Sequence, residues 1–533
     1  MQPSSLAKRL SIVTFLVVIL IYLFGLSYLP LLGPDEPRYA QVAREMLMRG
    51  DWITPTLGGH TWFEKPALLY WMMIAAAKVF GMNEWSARLG PAICGLLTIA
   101  AVWLIGREVE RARGNPGFAL QSMLLTASCL GLIVFSRAAS FDVVITMTTT
   151  WSLAFFLMHE FAGTRKRKLW FLIGFYAFVG MSLLAKGLVG VVVPFGVVGF
   201  YFILRRRWPE RHVFVSLVWG VPLALAVAAT WYGPVVAKHG WSFIDEFFIQ
   251  HHFARYVSNK YKHPQPIWFF PAIILMLTLP WTGFLIDALA RVRSWTWRAD
   301  DAASIVRVFS LAWSVLPIVF FSFSGSKLPG YVLPALPAAA LLISDRMFSN
   351  VNWPFRMTGV ICFVLGVGGI VYAAQSGQVS MACAIAAAVP MIVAGVAVVW
   401  IRLVQAVSAG ILVLVVVLLI CAAPAIAHRE SVRDLLEIAD ARGYGNVPVL
   451  AQRSDDRSAQ FYAHDRVVYD DEGEVVTFDQ VTVDRARTLG GKLLVLIPLE
   501  YVDHFRNARG IEVIADNGKT AILGWEPQTA HEP

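Results

Sequence analysis

About thirteen stretches of roughly 20 apolar residues run through this chain, each long enough for an α-helix to cross the hydrocarbon core of a bilayer. Backbone in lipid must satisfy its own hydrogen bonds, and a helix does so within one segment. The chain therefore reads as a polytopic membrane protein, and its composition agrees: 57% of its 533 residues are hydrophobic and 15% are charged. Lys8 and Arg9 precede an apolar run from Ser11 to Leu32. That run is too long for the core of a signal peptide and lacks a small-residue cleavage site, so it reads as an uncleaved first helix.

The charges between spans set an orientation. Arg107, Arg111 and Arg113, then Arg165 to Lys168, Arg205 to Arg207, Arg291 and Arg293, Arg346 and Arg356, and Arg402 fall in alternate connections. The positive-inside rule puts those connections in the cytoplasm, with the N-terminus inside and the C-terminus outside. The net charge of +9 consists mostly of these anchors, so it is no sign of nucleic-acid binding. All five cysteines fall inside predicted spans without CxxC spacing, so neither disulfides nor cysteine catalysis is expected.

The remaining polar groups gather on the outward side, at Asp35 to Lys65, Arg137 to Asp142, Lys186, Trp231 to His263 and Ser326 to Tyr331. A charged side chain in hydrocarbon costs about 2.5 kcal/mol or more, so the cluster GPDEPRYA at the exit of the first span points to a polar cavity at the interface. In it, Asp35 or Glu36 can cap a helix with Pro37 in its first turn, and Gly50 stops that helix. The helix reads as interfacial. After DWITPTLGGHTW, Glu64 and Lys65 precede Pro66, which opens a second apolar helix through Met72 and Met73. In SFIDEFFIQHHFARY, helical spacing puts His251 and Arg255 on one face. Past Pro424, VPVLA, RVVY, KLLVLI, IEVIA and AILGW read as strands of a small α/β domain, with FDQVTVDRARTLG and LEYVDHFRNARG as helical or turn segments. The expected architecture is an all-α membrane domain over residues 1–427, with an outward loop at 33–87, and a soluble α/β domain over 428–533.

Arg38, Lys65, Lys186, Arg255 and Lys327 converge on the outward side in sequence terms, a mix of forked and point cations suited to phosphate. A phosphate-bearing lipid with its head group at the interface fits them. A sugar carried on that phosphate has a stable anion as its leaving group and needs positive charge more than a general acid. Asp35 and Asp142 would then serve the acceptor, taking a proton from a hydroxyl or orienting it. A phosphate acceptor needs no base. A single displacement inverts the anomeric centre, whereas retention needs a closely paired nucleophile and acid.

GPDEPRYAQVAREM, GDWITPTLGGHTWFEKPALLYW, RAASFD, LLAKG and SKLPGYVLPALP resemble the motifs of the bacterial lipid A aminoarabinose transferases. These are polytopic glycosyltransferases with the GT-C fold, to which protein O-mannosyltransferases also belong. The resemblance runs from Ser11 through the last span and is strongest in the first loop. It implies transfer of a sugar, typically 4-amino-4-deoxy-L-arabinose, from undecaprenyl phosphate to a phosphate of lipid A, in the inner membrane at its periplasmic face. Asp35 and Asp142 match acids near the reaction centre, and Arg38, Lys65, Arg255 and Tyr331 match positions near the carrier phosphate. Glu64 with His251 resembles a metal pair, with a divalent ion such as zinc as the implied cofactor.

Plainer readings stand beside these. Lys65 and Lys186 can snorkel to the interface, Asp142 can pair with Arg137, and Lys327 and Tyr331 can flank a hinge at Pro329 and Gly330. Alternative functions are transfer of another sugar such as galacturonic acid, mannose or galactosamine, transfer to a protein Ser or Thr, and transport of a polyprenyl-linked sugar. A transporter would place its polar residues near the bilayer midplane in two related halves. Here they cluster on one face.

Overall fold

A computed structural model describes residues 5–114, 116–254, 265–348, 351–451, 457–471, 473, 475–476, 491–506 and 510–526. In chain order the first helices are α1 (Ser5–Leu23), α2 (Glu36–Arg49), α3 (Leu68–Phe80), α4 (Glu84–Arg113), α5 (Phe118–Ser128) and α6 (Leu130–Ser136). They are followed by α7 (Phe141–Phe161), α8 (Arg165–Lys186), α9 (Val189–Arg205) and α10 (Arg211–His239). Among the described residues eight helices are each long and apolar enough to cross a membrane, and α5 with α6, bent by 61°, makes a ninth candidate. The sequence count of about thirteen included stretches that proline divides, such as Phe269–Leu277 and Thr282–Ala290 on either side of Pro280, whose pieces fall short of a full span.

The chain forms two compact units. The first comprises Met1–Phe24, Phe63–Leu69 and Arg88–Leu418. Its core is aromatic: Trp313, Phe309, Tyr201, Phe156 and Phe175 are buried together, and Phe156 stacks on Phe309 with centroids 6.2 Å apart. The buried indole of Trp313 donates to the Pro334 carbonyl at 2.7 Å, which satisfies its one polar atom. The break between α5 and α6 has a local cause. Cys129 is extended (φ −68°, ψ 121°), and the N–H of Leu130 leaves the helix to donate to the Leu279 carbonyl at 3.1 Å. Arg137, just past α6, donates to the Ile21 carbonyl at 3.1 Å and the Phe24 carbonyl at 2.5 Å, satisfying acceptors at the end of α1.

The cysteines depart from expectation. Cys94, Cys129 and Cys362 are buried thiols, but Cys383 and Cys421 are disulfide-bonded. They lie in the terminal turns of Met381–Trp400 and Val404–Cys421, a position that span-level reading treats as lipid-embedded.

The second unit comprises Gly25–Trp62, Tyr70–Ala87 and Leu419–Pro533. Strands β1 (Thr56–Leu57) and β2 (His60–Thr61) form a hairpin. Strands β3 (Val449–Ala451), β4 (Leu493–Pro498), β5 (Ile511–Asp516) and β6 (Thr520–Trp525) form a sheet in the order β3-β4-β6-β5, with β3 parallel to β4 and the other pairs antiparallel. Both faces of β4 are buried: Leu494 and Leu496 on one side, Leu493, Val495 and Ile497 on the other. Four of the five expected strands thus form, while RVVY contributes only isolated bridges at Val467 and Tyr469. The segment FDQVTVDRARTLG lies outside the described residues.

Helix α2 ends at Gly50, which takes the left-handed conformation (φ 66°) that glycine accommodates. Arg44 on α2 lies 3.9 Å from the centroid of the Phe461 ring and donates to the Phe461 carbonyl at 2.6 Å, and burial lowers its pKa to about 10. Glu45 fastens the hairpin to α2. Its carboxylate accepts from Thr56 Oγ1 at 2.7 Å, Gly58 N at 2.7 Å and Gly59 N at 3.2 Å. Glu45→Ala removes the acceptor for all three donors, and we expect a loss of about 2 kcal/mol in the stability of this unit, read as faster proteolysis or amide exchange in residues 53–62. Unchanged exchange there would show that Glu45 does not hold the hairpin.

Candidate active site

In the first unit, three distant sequence segments meet. Asp142 lies in the first turn of α7, whose N-cap Ser140 accepts from the Asp142 N–H at 3.0 Å. Lys186 is the last residue of α8. These are the helix ends at which the backbone dipole favours an anion and a cation respectively, and the two side chains form an ion pair. Tyr331 completes the group, with Lys186 Nζ 4.6 Å from the centroid of its ring. That ring is fixed in turn by Phe321 at 5.1 Å and Phe270 at 6.4 Å.

Gly330 is the reason Asp142 fits. A methyl group at this buried position would collide with the Asp142 carboxylate and come within 2.8 Å of Phe135. Only hydrogen leaves room. Arg137 is committed to α1 carbonyls, so Lys186 is the side chain that pairs with Asp142. Lys327 donates to the Gln265 carbonyl at 2.9 Å, a different partner from this group.

The segment WFEKP also belongs to this unit from Phe63 onward. Lys65 and Glu64 form an ion pair at 2.8 Å, with 14% and 9% of their side chains exposed. Phe63 packs edge-on against His239 and Phe243 at 5.0 and 5.1 Å, and its N–H donates to the Glu246 carboxylate at 3.1 Å. Burial raises the Glu246 pKa above the usual carboxylate value, partly offset by that N–H. Helical spacing of three or four suggested one face carrying His251 and Arg255. Instead Asp245–Ala254 is a π-helix, whose wider turn breaks that register. His251 is half-buried, and Arg255 lies outside the described residues.

In the second unit, Asp35 occupies the N-cap position of α2 without capping through its side chain. Its carboxylate accepts from Arg38 Nη2 at 2.5 Å. Asp35 remains half exposed, whereas 12% of the Arg38 side chain is exposed. The Arg38 guanidinium lies 5.2 Å from the Trp62 ring and 5.5 Å from that of Tyr39, so two aromatics hold it for one acid. Glu36 instead accepts from the Leu32 N–H at 3.0 Å.

Glu64 and His251 supply two donors of the four that a tetrahedral zinc site takes, and Glu64 is already paired with Lys65. Among the described residues no group of three or more His, Cys, Asp or Glu side chains gathers to hold a metal ion. Glu64 and His251 alone do not complete a metal centre.

Sequence reasoning passed over Gly330 as the residue whose missing side chain admits Asp142, Trp62 as a support for Arg38, and Glu246 as the acceptor that seats Phe63. The first two lie inside the motifs SKLPGYV and TWFEKP, so the signal was present. Glu246 carries none beyond an acid in an aromatic run.

An undecaprenyl phosphate-α-4-amino-4-deoxy-L-arabinose arabinosyl transferase of Pseudomonas aeruginosa is 34% identical over 63% of this chain and 60% of its own length. A protein of the same name from an Enterobacter species is 31% identical, over 68% and 64%. The match thus spans about three fifths of the length of these curated relatives. The crystal structure of ArnT from Cupriavidus metallidurans bound to undecaprenyl phosphate superposes with a TM-score of 0.74 over 96% of this chain and 97% of that one, at 22% identity. The Archaeoglobus fulgidus oligosaccharyltransferase follows at 0.53, over 94% of this chain and 71% of its own, at 11% identity. These superpositions bear out the expected fold class, a polytopic helical domain with a small α/β part. Residues 8–289, more than half of the chain, match the profile of the dolichyl-phosphate-mannose-protein mannosyltransferase family, and the chain belongs to that family.

Proposed function

We propose that this chain is an inverting glycosyltransferase that moves 4-amino-4-deoxy-L-arabinose from undecaprenyl phosphate to a phosphate of lipid A at the periplasmic face of the bacterial inner membrane. The observation that carries the reading is the meeting of Asp142, Lys186, Gly330 and Tyr331, drawn from three separate motifs, at one point of the membrane unit. The relatives' names supply the donor and the sugar.

In this reading Lys186, held by Asp142 and the Tyr331 ring, balances charge on the donor phosphate, and Lys65 of the same unit adds to that field; the resemblance of their motifs gives Arg38 and Arg255 the same role. An oxygen of the lipid A phosphate attacks the anomeric carbon from the face opposite the carrier. The bond from that carbon to the carrier oxygen breaks, and its electron pair leaves on undecaprenyl phosphate. The acceptor loses one negative charge as the carrier gains one, so no proton moves and fixed cations suffice. Asp35 orients the acceptor. Lys327 and Tyr331 close the site beside the carrier.

Residues 1–427 are the catalytic membrane part and 428–533 the periplasmic part. Disulfide-bonded Cys383 and Cys421 support this side as outward, because disulfides persist in oxidising compartments. A metal at Glu64 and His251 belongs to the proposal only as a chelation test: loss of transfer with recovery on added zinc supports it, and indifference to chelator removes it.

The test is lipid A mass spectrometry from cells with and without this protein. A pentosamine increment is expected. A different sugar mass keeps the reaction and replaces the donor. Unchanged lipid A with newly glycosylated protein turns the reading to a protein acceptor, which the family's name favours.

A further inference from the structure

A cavity of about 670 Å³ opens among α7, α8, α9 and α10, within the range of roughly 300–1,000 Å³ typical of small-molecule sites. It is lined by Phe156, Phe175, Tyr176, Val198, Phe202 and Leu217, with Arg206, Arg207 and Trp208 at its mouth. It is remote from the site above. Phe156 is fourteen residues along α7 from Asp142, roughly 21 Å at the helical rise, so the cavity belongs to the opposite leaflet.

We propose that this cavity binds one acyl chain of an anionic phospholipid, whose phosphate rests on Arg206. The apolar wall sets the chain. Lipid tails are as apolar as these side chains, so the hydrophobic effect gives no preference for the cavity over the bilayer, and selection comes from shape and from charge at the mouth.

The charge at the mouth favours an anion. The local acids are already committed: Glu160 to Arg207, Glu210 to Lys168, and Asp300 to Arg205 and Arg207. Arg206 is exposed and, among the described residues, has no acidic partner. Its backbone sits in the left-handed region (φ 50°) where α9 ends, which fixes the direction in which the side chain departs. Trp208, 86% exposed, supplies the aromatic anchor usual at head-group depth. Basic sites between membrane helices on the cytoplasmic side are a recurrent way to hold acidic lipid head groups.

Gly199, an exposed residue of the cavity lining, offers a clean probe. A methyl group built on Gly199 of α9 meets nothing within 4 Å, so a larger side chain enters open space rather than a neighbour. Gly199→Phe would fill the cavity, and Arg206→Gln would remove only the charge. The full-length protein, purified in detergent and supplied with phosphatidylglycerol, is examined by native mass spectrometry. The wild type is expected to retain one phosphatidylglycerol under conditions that strip other lipid, and to retain phosphatidylcholine at least fivefold less. Gly199→Phe should cut phosphatidylglycerol retention at least fivefold, and Arg206→Gln should erase the preference over phosphatidylcholine. Wild-type retention in Gly199→Phe, or equal retention of the two lipids by the unaltered protein, would overturn the proposal. So would preferential retention of undecaprenyl phosphate displaced by Gly199→Phe.

Discussion

Asp142→Asn is expected to lower kcat/KM for sugar transfer by about 10²–10³, the range typical of losing one preorganised electrostatic contact. The substitution keeps the shape of the side chain and removes its charge. Lys186 then loses its ion-pair partner at a site where both side chains are less than one fifth exposed. A partly buried cation left unpaired moves towards water, and the donor phosphate then loses a fixed positive charge. The helix should survive, because its N-cap is the Ser140 hydroxyl, which does not depend on the Asp142 side chain. The check is transfer by purified variant and wild type, alongside thermal melts that agree within a few degrees. Half or more of the wild-type rate in Asp142→Asn would remove this pair from the mechanism.

Gly330→Ala is expected to lower kcat/KM about 100-fold although it adds one methyl group to a residue with no chemistry of its own. The added carbon would occupy the space of the Asp142 carboxylate and press on Phe135. Pro329 and the short helix Pro329–Ala335 leave the backbone little freedom to retreat. The carboxylate is therefore the part that shifts, and a displacement of about 1 Å at a reacting centre costs on the order of 10²-fold. Overpacking also lowers stability by about 1–3 kcal/mol, so a reduced melting temperature accompanies the loss. A merely structural effect separates from this one in a double-mutant cycle. If Gly330 acts through Asp142, adding Gly330→Ala to Asp142→Asn costs far less activity than Gly330→Ala alone. Additive losses would show that the two residues act independently.

Much of this was legible in the chain because membrane constraints write themselves into sequence. A helix that must cross lipid needs a long apolar run, and charges surviving at its ends stand out against it. That contrast singled out Asp142, Lys186, Lys65 and Asp35 by number. The pairing was not legible. Arg137, five residues before Asp142, was the nearer candidate, but it is taken by carbonyls of α1, more than 110 residues earlier in the chain. Lys186, 44 residues away and picked out in the sequence as a cation suited to phosphate, is the partner. Side-chain partners across a bundle depend on which helices neighbour one another, which periodicity within a helix does not encode. The π-helix at Asp245–Ala254 escaped for a related reason, since its residues also suit an ordinary helix. The oxidised state of Cys383 and Cys421 escaped because the ends of Met381–Trp400 and Val404–Cys421 look as apolar as their middles.

The central claim is that Lys186, set by Asp142 and Tyr331, is the cation that receives the donor phosphate. Its most direct test is steady-state transfer from undecaprenyl-phosphate-linked 4-amino-4-deoxy-L-arabinose to lipid A by purified wild-type and Lys186→Ala protein, with the donor titrated at saturating acceptor. The account predicts robust transfer by the wild type and at least a 100-fold fall in kcat/KM for the donor in Lys186→Ala, with the acceptor KM little changed. Donor kinetics in Lys186→Ala equal to those of the wild type would contradict it.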